Sequence, residues 1–140
     1  MRCSVTLLYR GVCEESFPRD LFPDVELRST HRRTVKRSDR QPDGEWAERT
    51  CDLPEGIRLF WRATAPDPSV FVEHVLSRIQ GCSAELRSAT VSASSRRLRI
   101  VIDKLDTDWA GVAVTSRWLN LLHELCLDVE VIVKYFDESE

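Results

Sequence analysis

Thr115-Ser-Arg-Trp-Leu-Asn-Leu-Leu-His-Glu-Leu-Cys-Leu-Asp-Val-Glu-Val-Ile-Val-Lys-Tyr-Phe136 changes its hydrophobic period halfway along. Trp118, Leu119, Leu121, Leu122 and Leu125 recur at helical spacing; Val129, Val131, Val133 and Tyr135 then alternate with Glu130, Ile132, Lys134 and Phe136. The stretch therefore reads as a helix running into a strand. At about 100° per residue the helix presents a wide apolar stripe centred on Trp118, Leu122 and Leu125, which needs a second layer to cover it. The strand supplies part of that layer: one of its faces is apolar, the other mixed, so one side meets helices and the other is partly wet.

Working outward, Arg97-Leu-Arg-Ile-Val-Ile-Asp-Lys-Leu105 repeats the strand pattern, with Leu98, Ile100 and Ile102 on one face. Together with Glu85–Ala93 across the turn at 94–96 it predicts a hairpin. Further upstream, Pro66-Asp67-Pro68-Ser69 is a helix start, followed by the stripe Phe71, Val72, Val75, Leu76 and Ile79 and stopped by Gly81. Glu45–Cys51 and Ile57–Ala63, either side of Asp52–Gly56, predict another hairpin. Ser4–Tyr9 is a first strand, the two prolines of Glu14–Pro23 limit any helix there to a turn or two, and Val25–Arg28 is a short extended piece. These elements predict one α+β domain over 1–136, a single antiparallel or mixed sheet with two main helices packed on one face, with a basic loop at 28–44 and a frayed C-terminal tail at 137–140.

A chain of 140 residues suits one core, and 42% hydrophobic with 31% charged residues is the composition of a folded globular domain. Charge is unevenly spread: Arg28, Arg32, Arg33, Lys36, Arg37 and Arg40 face only Asp39 within 28–40, in a chain of formal net charge −3. That segment, followed by the turn signal Gln41-Pro-Asp-Gly44, reads as an exposed loop or edge ribbon. No apolar run reaches the about 20 residues of a membrane span, and the N-terminus lacks a secretory signal, so a cytoplasmic location is expected.

No phosphate-binding glycine loop, nucleophile elbow or zinc-helix motif is present. Five scattered cysteines without a Cys-x-x-Cys pair read as reduced structural thiols, with Cys3, Cys82 and Cys126 in or beside apolar runs. His31, His74 and His123 lie too far apart for a zinc site, and Asp103, Asp106 and Asp108 lack the glycine and distal glutamate of a calcium loop. The expectation is no metal, no cofactor and no catalytic residue. Among the four tryptophans, Trp61 and Trp118 read as core, and Trp109, in a polar loop, as a contact candidate.

The short first strand, Gly44-Glu-Trp46 after a polar loop, the helix led by Asp67-Pro68-Ser69, a hairpin, and a terminal helix running into Leu127–Tyr135 resemble a bacterial family of uncharacterised single-domain proteins of about this length. The likeness covers nearly the whole chain. Such families often include immunity proteins of toxin systems, so the resemblance implies a toxin-neutralising binder and carries over no catalytic residue. The resulting expectation is a non-enzymatic protein-binding domain, most concretely a cytoplasmic immunity protein acting on a toxin domain through Arg32, Arg33, Lys36, Arg37, Arg40 and Trp109. The alternative is a nucleic-acid-binding module using the same arginines, whose affinity would fall steeply with salt. No membrane partner is expected.

Overall fold

The computed structural model describes residues 2–64, 67–104 and 112–135. Strand β1 (Arg2–Arg10) runs down the middle of a five-stranded sheet, antiparallel to β5 (Gly56–Thr64) on one side and β6 (Ser95–Lys104) on the other. β2 (Glu26–Thr30) pairs with β5, and β7 (Asp128–Tyr135) with β6, giving the order β2-β5-β1-β6-β7. The β6–β7 pair is parallel, which requires a crossover, and helix α3 (Ser116–Glu124) supplies it. The sheet is therefore mixed and the domain α+β, as the periodicities predict.

Alternation decides which face is covered. Val5, Leu7 and Tyr9 of β1, Ile57, Leu59 and Trp61 of β5, and Leu98, Ile100 and Ile102 of β6 are all buried in one cluster. Helix α1 (Pro68–Gly81) adds Val72, Val75, Leu76 and Ile79, the short helix α2 (Ser83–Ala89) adds Leu86, and α3 adds Trp118, Leu121 and Leu122. Each such aliphatic side chain contributes about 1.5–3 kcal/mol on leaving water. Two single 3-10 turns, Glu14–Ser16 and Arg19–Leu21, close one side with Phe17 and Phe22, whose ring meets Trp61 edge-on at 5.2 Å between centroids.

The helix ends follow local chemistry. Asp67 Oδ1 accepts from Ser69 N at 3.0 Å, with Pro68 at the first helical position, as its sequence predicts. α3 ends in a Schellman motif: Leu127 N donates to Leu122 O at 2.9 Å, Cys126 N to His123 O at 3.0 Å, and Cys126 takes the left-handed φ of 54°. Cys126 is exposed, contrary to the expectation of a buried small hydrophobe, while Leu125 and Leu127 on either side of it turn into the core. Cys3 is buried and Cys82 half-buried.

One expectation is narrowed and two are corrected. Of the exposed loop or edge ribbon expected around 28–44, the ribbon forms rather than the loop: Arg33–Arg40 is strand β3, paired antiparallel with β4 (Trp46–Leu53) in a separate two-stranded sheet. β4 does not pair with β5, although only Pro54 and Glu55 separate them: β4 is polar along most of its length and finds a polar partner in β3, whereas β5 carries an apolar face that must reach the core. Glu85–Ala93 is not a strand. Ser83-Ala-Glu-Leu-Arg-Ser-Ala89 is rich in helix formers, buries only Leu86, and forms α2, leaving β6 to pair with β1. The expected polar loop 106–111 and the C-terminal tail 137–140 lie outside the described residues. Among those described, no helix is long and apolar enough to cross a membrane.

Candidate functional site

Among the described residues no helix covers the second face of the sheet, and the end of that face near Arg10 is basic. Wherever β1, β5 and β6 bury one residue, the next turns to this open face: Arg10 on β1, Arg58 and Arg62 on β5, Arg97 and Arg99 on β6. Register concentrates them. Leu8 pairs with Arg58 on one side and Arg97 on the other, and Arg58 pairs in turn with Arg28 of β2. Neighbouring strands lie about 5 Å apart, so Arg28, Arg58 and Arg97 share one rung within roughly 15 Å. Like charges directly opposite one another destabilise a sheet. Part of that repulsion is relieved internally, by Glu26 on Arg28 and by Glu130, which takes Arg97 at 3.1 Å and Arg99 at 3.5 Å.

The ribbon adds to this face. Its base stands over the end of the sheet carrying Arg10, enclosing a cavity of about 840 Å3 between ribbon and sheet. Arg10, Arg58, Arg97 and Arg99 line it from the sheet; Arg33 and Arg37 line it from β3. Thr30, Ser94 and Ser95 contribute hydroxyls and Asp52 a single carboxylate, already held by Arg32 through Nε at 3.2 Å and through a second, shorter contact from Nη2. Among the described residues, Arg33, Arg37 and Arg58 have no carboxylate at ion-pair distance. Arg10 donates to Pro54 O at 3.3 Å. Its guanidinium is pushed below its ordinary pKa by burial first and then by the charges of Arg33, Arg97 and Arg37. The cavity is a cationic enclosure whose charge the chain itself leaves largely uncompensated.

The structure sorts the six residues singled out by sequence. Arg33 and Arg37 point into the cavity. Lys36 and Arg40, at alternate positions, belong to the other side of the ribbon and are exposed, and Arg32 is tied to Asp52 on the rim. Trp109 lies outside the described residues. Four contributors, Arg10, Arg58, Arg97 and Arg99, escaped the sequence reading, which took outward strand positions as a wetted face; the same positions also hold Ser4, Thr6, Leu8, Phe60, Val101 and Asp103, so no run of charge marks the arginines in the sequence. The exposed tryptophan also differs from expectation. Trp46, opposite Arg40 at the ribbon tip, is 68% exposed, while Trp61 and Trp118 are 6% and 3% exposed, as core residues should be.

Guanidinium groups stay protonated at neutral pH, so the enclosure offers fixed positive charge to an anion, and the imidazole of His31 is a further polar group on its lining. Bidentate pairing with planar carboxylates, or with phosphoryl oxygens assisted by the three hydroxyls, is the chemistry it offers. Among the described residues no three His, Cys, Asp or Glu side chains come together in a way that could hold a metal ion; Asp106 and Asp108 lie outside them. The fold and the site define an α+β domain with an arginine-lined cavity under a projecting ribbon. The chain matches no protein-family model, no curated protein and no solved structure with which it was compared.

Proposed function

We propose that this chain is a non-enzymatic binding domain that grips an acidic segment of a protein partner in the arginine-lined cavity. The observation that carries the reading is the cavity itself, lined by six guanidinium groups of which Arg97 and Arg99 share Glu130, while the one lining carboxylate, Asp52, is already engaged by Arg32. An inserted Asp or Glu side chain relieves the mutual repulsion of Arg10, Arg33, Arg37 and Arg97, so binding and stability rise together. The partner's most concrete form, a toxin domain neutralised by direct contact, is what the sequence's resemblance to a bacterial family of single-domain proteins implies.

Single-stranded nucleic acid is the competing anion. Against it, no Phe, Tyr or Trp is among the cavity's described lining residues, where His31 is the one aromatic ring, the Phe60 ring on the open face is capped by the Arg62 guanidinium at 4.8 Å, and the chain is acidic overall. The test is titration of the intact chain at low salt with a polyglutamate peptide and, separately, with a single-stranded oligonucleotide, repeated for the variant Arg33→Glu/Arg37→Glu. Preferential peptide binding that the variant loses at least tenfold supports the reading. Preferential oligonucleotide binding replaces it with the nucleic-acid reading, and absence of both removes the cavity from function.

A further inference from the structure

The sheet has two outer strands, and they differ in how well they resist pairing with another chain. β2 is five residues long, carries Glu26 and Arg28 on its open face, and leads directly into the ribbon. Short, charged edges of this kind discourage strand addition. β7 is eight residues long, contains no proline, and among the described residues pairs on one side only, with β6. Its register places Val129, Val131 and Val133 beside Leu98, Ile100 and Ile102, so the core face continues onto β7. Helical cover does not follow it all the way: Val129 is 42% and Val131 47% exposed. A long edge with exposed valines on one face and Asp128, Glu130 and Lys134 on the other accepts a strand whose charges complement these three.

The sequence of β7 indicates which strand. Run antiparallel to itself about Val131, Asp128 faces Lys134, Val129 faces Val133, and Val131 faces its own symmetry mate, so both ends carry opposite charges and the centre is apolar. Faces also match, because opposed residues then lie on the same side of a continuous sheet and both sets of helices stay on one side. The neighbouring face-matched register about Glu130 sets two glutamates opposite each other. The one about Ile132 requires Glu130 for Lys134, but Glu130 is already held by Arg97 and Arg99. We propose that a second copy of this chain pairs with the first through β7, antiparallel about Val131, to form a two-fold dimer with one continuous ten-stranded sheet.

This inference does not depend on what the arginine cavity binds; the cavity lies at the ribbon and belongs to each copy separately. The test is the molar mass of the full chain by light scattering, from low micromolar to the highest attainable concentration, for wild type and Val131→Lys. Val131 is half exposed, so lysine there fits a folded monomer, which circular dichroism checks. A second variant, Val131→Cys in a chain with the exposed Cys13 and Cys126 changed to serine, reads the register, since only pairing about Val131 brings the two new thiols to disulfide distance. The expected result is twice the 16.1 kDa chain mass for wild type, the single mass for Val131→Lys, and an oxidised dimer for Val131→Cys. A wild type that stays monomeric, a dimer that Val131→Lys leaves intact, or failure of the Val131→Cys chain to cross-link overturns the proposal.

Discussion

Replacing Gly56 by alanine should destabilise the protein strongly, while the same change at Gly81 should stabilise it. An ideal Cβ at Gly56 falls 2.1 Å from the carbonyl oxygen of Tyr9 and 3.0 Å from Arg10 Cα, both backbone atoms of the central strand. To restore ordinary contact, β5 must move from β1 by about 1 Å at this rung. Overpacking of that kind costs about 1–3 kcal/mol, and loosening the pairing of Gly56 with Arg10 and Thr30 adds about 1 kcal/mol for each hydrogen bond weakened. The expected loss is about 3 kcal/mol or more. At Gly81, the last residue of α1, a Cβ meets nothing within 4 Å, and alanine's helix preference adds about 0.5–1 kcal/mol. Urea melts read both changes as opposite shifts in midpoint at constant slope. A Gly56→Ala chain within about 1 kcal/mol of wild type would refute the close approach of β5 to β1.

Cys126→Gly should raise stability by about 1 kcal/mol, because the left-handed position that ends α3 strains any residue with a Cβ; a thermal melt no higher than wild type counts against the Schellman ending. Asp67→Ala should lower it by about 1 kcal/mol through loss of the α1 cap, measured in the same melts. Burial first, then Asp103, pushes the Cys3 thiol up from 9.0 to about 11. The unfolded thiol therefore ionises first, so the stability that Cys3 contributes is full below pH 9 and is lost as the pH climbs through 11. In thiol labelling at mildly alkaline pH, Cys126 should react early, Cys13 more slowly because its hydrogen bond to Glu55 raises its pKa, and Cys3 only on unfolding; early labelling of Cys3 would contradict its burial.

How far the sequence can be read depends on whether a segment's neighbours are local. α1, α3, β1, β6 and β7 declare themselves because their apolar spacing is long and one-sided, and the same spacing separates the covered face from the open one. The partners of β4 and β5 are not legible, since two strands separated by two residues look like a hairpin unless one knows that β5 is claimed by β1 and β2. Ser83–Ala89 is ambiguous for another reason: seven residues with one buried leucine show too little of either period. The site divides the same way. Arg33 and Arg37 stand out as a local run of charge, whereas Arg10, Arg58, Arg97 and Arg99 are dispersed over ninety residues and converge only through strand pairing. Lys36 and Arg40 come from the same run yet fall on the other side, because a strand, unlike a loop, divides its side chains by parity.

The ribbon leaves the sheet after Thr30 and returns at Gly56, and those two residues face each other in the pairing of β2 with β5. Its departure and return therefore share one rung of an otherwise complete hairpin. Any insert whose two ends meet fits that rung, which makes the arginine arm a graft on a finished scaffold. Lengthening, shortening or rewriting it alters what is gripped without requiring the scaffold to refold.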